Sequence, residues 1–215
     1  NAYWGPEILK KDLLSFKKNN LIKKNFVSIK DKNYKNVAKI LHRGEIVFIC
    51  MGKQEFGPRA LGHRSIICDP SKLELIKKIN STIKMRDFWM PFTPSILDSH
   101  KKKYIKTNNK LNLNYMTSCL DVTEIGKIHL KAAIHQSDYT VRPQIVSKKT
   151  CDKYHKLIMT FSKLSGIGAV LNTSLNMHEF PIVTKPLDIV KEILRYNSYI
   201  DFNILIEDTL FIRKK

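Results

Sequence analysis

Acid, cysteine and long apolar runs are all scarce in this sequence, and each shortage removes a class of explanation. Only 19 Asp and Glu face 38 Lys and Arg, a formal charge of +19. That balance suits an anionic partner: a nucleic acid, a phosphorylated metabolite or an acidic surface. Much of it comes from a general enrichment in Lys, Asn and Ile, as in "KKNNLIKKN" and "KTNNKLNLN". The diagnostic cations are therefore those in Gly/Pro-rich loops. The four cysteines, Cys50, Cys68, Cys119 and Cys151, form no CxxC pair and no zinc pattern, and are expected to be small buried hydrophobes in a reducing cytoplasm. Apolar stretches such as Ile46–Met51 and Gly166–Leu171 fall far short of the roughly 18 residues of a membrane span. No segment has the basic start, apolar middle and small-residue cleavage site of a signal peptide. The first residue is Asn1, not Met, which leaves open a processed chain or a piece of a longer protein. No Walker A, GxGxxG, HExxH or GxSxG motif occurs. Phosphate, if bound, is expected on Arg and Lys side chains with Ser and Asn support.

What is present is a globular composition, 43% hydrophobic and 9% aromatic over 215 residues. No repeat, coiled coil or linker interrupts it, so residues 1–215 are expected to form a single domain. Ile8–Lys18 reads as a helix, followed by a polar Lys/Asn-rich segment. Asn33–Arg43 reads as a helix with Val37, Ile40 and Leu41 inward and Gly44 as its stop. "EIVFICMG" and "SIICD" read as buried strands around an irregular loop. "SKLELIKKINSTI" reads as a helix with Leu73, Ile76, Ile79 and Ile83 on one stripe and Ser71 as N-cap. Residues 98–114 read as a surface loop. "YMTSCLDV", "KAAIHQ" and "TVRPQIVS" read as strands around a hairpin at Ser137–Asp138. Thr150–Ser165 and Pro186–Tyr196 read as helices, "GIGAVLNTSLN" as a strand, and "FNILIEDTLFIRK" as two strands about a Glu-Asp turn. Strands and helices interleave while several strand pairs are tightly joined. The expected class is α/β (α+β), a mixed twisted sheet with flanking helices.

Four polar clusters exceed structural need. The loop "EFGPRALGHR" carries Arg59, His63 and Arg64 beside Gly57 and Gly62, where backbone can come close to a ligand. Their bland alternative is ion pairing with Glu55 or Asp69. "IKMRDFWMPF" places Lys84 and Arg86 two apart, on one side of an extended backbone. In "SDYTVRPQ", Arg142 shares a strand face with Thr140 and Gln144. "VLNTSLN" puts Asn172, Ser174 and Asn176 at the end of an apolar strand, where α/β proteins often bind ligands. His178 and Glu179 are not a metal-ligand set, and no metal residue is assigned.

"MGKQEFGPRALGHRSI", "IKMRDFWMPFTPSIL" and "LNTSLN…PIV", in this order, together with "AYWGPE", resemble the C-terminal region of the NodU/TobZ-type carbamoyltransferases. The resemblance runs from about Ala2 to Arg213. It implies a YrdC-like domain that makes carbamoyl adenylate from ATP and carbamoyl phosphate. A separate N-terminal domain of actin-like ATPase type, absent from this chain, then passes the carbamoyl group to the hydroxyl of a sugar or natural product. The family's iron or zinc site would lie in that partner domain, and Mg²⁺ would arrive with ATP. Lys84-Met85-Arg86 and Ser174-Leu175-Asn176 stand where the KxR and SxN set of YrdC-like proteins falls. Arg59, Lys84, Arg86 and Arg142 are the expected catalytic cations. Arg64, His63, Asn172, Ser174, Asn176 and Thr140 are the expected cofactor-binding residues. The family usually has Gly-Glu before the "PIV" segment, and here Glu179-Phe180 stands in its place.

Two other readings remain. A nucleic-acid-binding module would use the +19 charge, but no Arg/aromatic interleaving on a strand pair supports it. A domain without activity of its own would work only with its N-terminal partner.

Overall fold

Strands that are apolar at every position need cover on both faces of their sheet, and this sequence supplies the helices to cover both. The computed structural model describes residues 2–87, 89–107, 111–194 and 201–214. Two N-terminal helices, α1 (Lys10–Lys18) and α2 (Asn20–Asn25), lead into β1 (Phe26–Lys30). Helix α3 (Lys35–His42) precedes β2 (Ile46–Cys50) and β3 (Arg64–Cys68). Then come α4 (Glu74–Ile79), β4 (Thr93–Leu97) and the short α5 (Lys101–Tyr104). The segment β5 (Leu120–Asp121), α6 (Glu124–His129), β6 (Thr140–Val141) and β7 (Gln144–Val146) follows. The long α7 (Asp152–Ser165), β8 (Ala169–Ser174), α8 (Pro186–Asp188), β9 (Phe202–Ile206) and β10 (Thr209–Arg213) complete the order.

Eight strands form one mixed sheet in the order β1-β10-β9-β2-β3-β8-β4-β7, and β5 pairs with β6 separately. The β9–β2 and β4–β7 pairs are parallel, and the other pairs of the large sheet are antiparallel. Alternation along β2 divides the core. Val47 and Ile49 pack towards α3 and α7, with Val37, Leu41, Leu157 and Phe161. Ile46, Phe48 and Cys50 pack towards α1 and α4, with Phe16, Leu75 and Ile79. The expected mixed α/β class is the one observed.

Several local expectations need correction. Residues after Lys18 are not merely polar loop. They form α2 and β1, an edge strand whose partner is β10. "KAAIHQ" is not a strand, because Ala132 and Ala133 are buried in turns bonded to the Pro70 and Leu130 carbonyls. No hairpin centres on Ser137–Asp138, since β6 pairs back to β5 across α6. Ser71 does not cap α4. It bonds Asp69, and the helix begins three residues later, with Leu73 exposed and Leu75 in the core. Cys50, Cys68 and Cys151 are buried as expected, but Cys119 is exposed. The expected 98–114 loop contains α5, and its residues 108–110 lie outside the described residues, as do the last two of Pro186–Tyr196.

Candidate functional site

The site assembles where β8 ends beside β3 and β4. Ser65 pairs with Ser174, and Thr93 pairs with Asn172. Thr173 lies between, so Asn172, Thr173 and Ser174 floor a pocket of about 80 Å³. Its walls bring Arg59, Arg86 and Arg142 together, with Phe92 and Met116, and among the described residues no Asp or Glu lines it. Arg86 lies over the Phe92 ring, 5.8 Å from its centroid. Burial, and then the positive charge of Arg59, push the Arg86 guanidinium below its ordinary range. Like charges held this close are a standing demand for an anion.

The loop from Glu55 to Arg64 is built by its own charged ends. Glu55 is buried, and its Oε1 accepts from the backbone N–H of Leu61 at 2.6 Å, His63 at 2.7 Å and Arg64 at 3.1 Å. Arg64 is fully buried, 0% exposed. Its guanidinium donates to the carbonyls of Met51, Gly52, His63, Pro6 and Thr184. Those contacts occupy it outside the pocket, so Arg64 ties the loop down while Arg59 faces the cavity. Neither ion pair with Glu55 or Asp69 forms through its side chain. Gly62 takes φ +105°, and an added Cβ would stand 2.2 Å from the Tyr154 ring, so only glycine fits there.

His63 also lies outside the pocket. Its ring stacks on Tyr3 at 4.1 Å. Nδ1 meets the Lys53 carbonyl at 2.5 Å and Nε2 meets Cys151 Sγ at 3.1 Å. A carbonyl can only accept, so Nδ1 carries the proton and Nε2 accepts from the thiol. Burial, above all, lowers the His63 pKa and raises that of Cys151 to about 11, so both are neutral at pH 7.

Lys84 and Arg86 do not share an extended backbone. Helix α4 continues as a π-helical turn, Asn80–Lys84, and Met85 then takes the left-handed region at φ +45°. The two cations diverge: Arg86 lines the pocket and Lys84 runs beneath the end of β8. There Lys84, only 2% exposed, donates to the Ser174 carbonyl. It also reaches the Ser174 hydroxyl at 3.1 Å, the Asn176 carbonyl at 2.9 Å and Asn176 Oδ1 at 2.7 Å. Ser174 Oγ donates to Asn176 Oδ1 at 2.6 Å, and Asn176 Nδ2 donates to the Phe180 carbonyl. The KxR and SxN residues therefore meet. Every Lys84 partner is a neutral oxygen, and burial followed by the Arg86 charge holds its pKa well below the usual lysine range.

Thr140 stands apart. Its N–H and hydroxyl both bond Asp138 at 2.8 Å, and it does not line the pocket. The strand run expected to hold Thr140, Arg142 and Gln144 on one face is broken: Thr140 lies in β6, Gln144 in β7 of the other sheet, and Arg142 in the connection between them, with Gln144 buried. Gln144 is the residue whose role sequence reasoning missed, with Ser95. Ser95 Oγ donates to Gln144 Oε1 at 2.7 Å, and Gln144 Nε2 donates to the Leu61 carbonyl at 2.9 Å. Asn172 Nδ2 joins this network. A polar residue within the apolar run of β4 was the available signal. Among the described residues, no group of three or more His, Cys, Asp or Glu could hold a metal, and no helix is long and apolar enough to cross a membrane.

The family described as "Carbamoyltransferase C-terminus" matches residues 38–214. An uncharacterized protein of Methanocaldococcus jannaschii is 34% identical over 212 residues, 98% of this chain and 33% of that protein. Nodulation protein NolO of Bradyrhizobium diazoefficiens is 30% identical over 216 residues, covering 100% of this chain and 38% of its own length. The 3'-hydroxymethylcephem-O-carbamoyltransferase of Streptomyces clavuligerus is 25% identical over 156 residues, 72% of this chain and 29% of that enzyme. The chain thus spans about a third of the length of the curated relatives it matches. Full-length HypF, solved in a phosphate- and nucleotide-bound form, superposes with a TM-score of 0.57 at 17% identity, over 82% of this chain and 25% of its own. That likeness shows a YrdC-like fold. With the family match running through every strand of the pocket, the chain belongs to the carbamoyltransferase C-terminal family, of the NodU/TobZ type.

Proposed function

We propose that this chain binds ATP and carbamoyl phosphate at the arginine pocket and joins them as carbamoyl adenylate. One observation carries the reading: Arg59, Arg86 and Arg142 converge on one cavity with no Asp or Glu among the described residues that line it. Two similar proteins support it, an O-carbamoyltransferase and a protein of like fold solved with phosphate and nucleotide bound.

The chemistry balances in two steps. Water cleaves carbamoyl phosphate to carbamate and inorganic phosphate. A carbamate oxygen then attacks the α-phosphorus of ATP, and the bond to pyrophosphate breaks. Charge accumulates on phosphate oxygens in both steps. Guanidinium groups already in place stabilise it without reorganising. Each charge-assisted hydrogen bond contributes about 1.5–3 kcal/mol. Lys84 adds charge from beneath and holds Ser174 and Asn176 in register. Mg²⁺ enters as the ATP chelate. A partner domain then transfers the carbamoyl group to an acceptor hydroxyl, in the cytoplasm.

Isothermal titration of ATP and of carbamoyl phosphate into the parent and into Arg86→Ala and Arg142→Ala tests the site. Both ligands should bind the parent, and each variant should lose about tenfold or more. Unchanged affinities would place the phosphates elsewhere.

A further inference from the structure

The arginine pocket alone is too small for the nucleotide proposed to bind there. At about 80 Å³ it takes little more than a phosphoryl group, when one water fills about 30 Å³ of liquid. Sites for ligands of nucleotide size run to about 300–1,000 Å³. A second cavity of about 550 Å³ adjoins it and shares Pro58, Arg59, Met116 and Arg142 with it. Trp4, Phe56, Leu61 and Tyr115 are among its other walls.

Trp4 and Phe56 are each 72% exposed, and apolar surface left in water beside a cavity marks a binding site. Their rings meet at 6.0 Å with a 41° tilt. Backbone hydrogen bonds hold both in place. The Gly5 N–H donates to the Gln54 carbonyl at 3.0 Å, the Gln54 N–H to the Pro6 carbonyl at 3.0 Å, and the Phe56 N–H to the Ala2 carbonyl at 2.7 Å. The N-terminal segment thus lies against the arginine loop and sets two aromatic rings beside Arg59. The apolar groove along α4 is a poorer continuation. It shares Arg86 alone with the arginine pocket, and no aromatic ring is among its described lining residues.

Resting on the functional reading above, we infer that the aromatic cavity is the nucleobase subsite and holds a purine by stacking, without reading its edge. Phosphates on Arg59 and Arg142 leave the base of the same ligand beside the rings, and every base has a face to stack. Apart from the arginines, the polar side chains among the described lining residues are the hydroxyls of Tyr115 and Thr117. A hydroxyl donates or accepts as its proton turns. Neither can therefore favour the amino group of adenine over the carbonyl oxygen of guanine. Strong selection needs a site built to hydrogen-bond one of them. The chain accordingly takes purine nucleoside triphosphates as a class, GTP with ATP.

The test titrates ATP, GTP and ribose 5-triphosphate, which lacks only the base, separately into the unaltered chain by calorimetry. Both nucleotides should bind about fivefold or more tightly than ribose 5-triphosphate, and within about threefold of each other. Trp4→Ala should remove most of that advantage from ATP and GTP alike, and leave ribose 5-triphosphate within about twofold of its parent affinity. Equal binding of ATP and ribose 5-triphosphate by the parent would overturn the base subsite and leave the phosphate site standing, with the rings free for another protein. ATP bound about tenfold or more tightly than GTP would show that the edge is read and overturn the class-wide assignment. A parent that binds none of the three would overturn the functional reading as well. If Trp4→Ala fails to fold, the parent affinities decide.

Discussion

Arg59 and Arg64 stand five residues apart in one loop, and the structure gives them opposite work. Arg64 spends its donors on backbone carbonyls, and Arg59 faces the cavity. Arg59→Ala should change stability by less than about 0.5 kcal/mol, as exposed substitutions do, and weaken pyrophosphate binding about tenfold or more. Arg64→Ala strips several buried carbonyls of their donor and should cost about 3 kcal/mol or more of stability. Calorimetric melting of both variants, set beside their pyrophosphate affinities, checks the division. Composition and loop chemistry marked both arginines as ligand-binding, and nothing in the sequence showed that Arg64 would turn to backbone carbonyls instead. The distinction depends on how Glu55 gathers three backbone amides, a contact set by the folded loop.

Lys84 gives a signature in pH. Its pKa is held well below the lysine range, first by burial and then by Arg86. A lysine is charged below its pKa, so its help to an anion is present at low pH and is lost as pH rises through the lowered value. Pyrophosphate affinity should therefore fall below the ordinary lysine pKa of about 10.4. Lys84→Arg, charged throughout, should flatten that fall even if its affinity is lower overall. A parent profile that is flat until the ordinary range would contradict the assignment.

Among the elements, legibility followed burial. The strands β2, β3, β8, β9 and β10 and the helices α3 and α7 are buried on one or both faces, and their apolar patterns named them. Edge strand β1 escaped because it buries little beyond Phe26 and reads as polar chain. "KAAIHQ" misled because buried alanines in a turn look like a strand. The π turn that carries Lys84 has no sequence mark, yet it turns the lysine under β8 rather than beside Arg86. Backbone strain makes two predictions at this scale. Gly62→Ala would drive a Cβ into Tyr154, and should cost about 3 kcal/mol or more in a melt. At the place where the family usually has glycine, Glu179 takes φ +64°. Left-handed geometry costs a residue with a Cβ about 1 kcal/mol, so Glu179→Gly should raise stability by about 0.5–1 kcal/mol and leave ligand affinity unchanged.

Across the whole molecule, the +19 charge is mostly lysine spread over the surface, whereas the cations proposed to bind phosphate are three arginines lining a concavity. Two kinds of anion binding should separate with salt. RNA held by scattered lysines should be lost between about 50 and 200 mM salt. ATP held in the pocket should persist there and raise the melting temperature as its concentration climbs above Kd. RNA binding that survives while ATP binding does not would favour the nucleic-acid module. The central claim is chemical, and its most direct test is exchange of labelled pyrophosphate into ATP by this chain, with and without carbamoyl phosphate. Exchange that requires carbamoyl phosphate, and that falls sharply in an Arg59→Ala/Lys84→Ala variant, is the predicted result. A folded parent that binds both ligands and shows no exchange would contradict it.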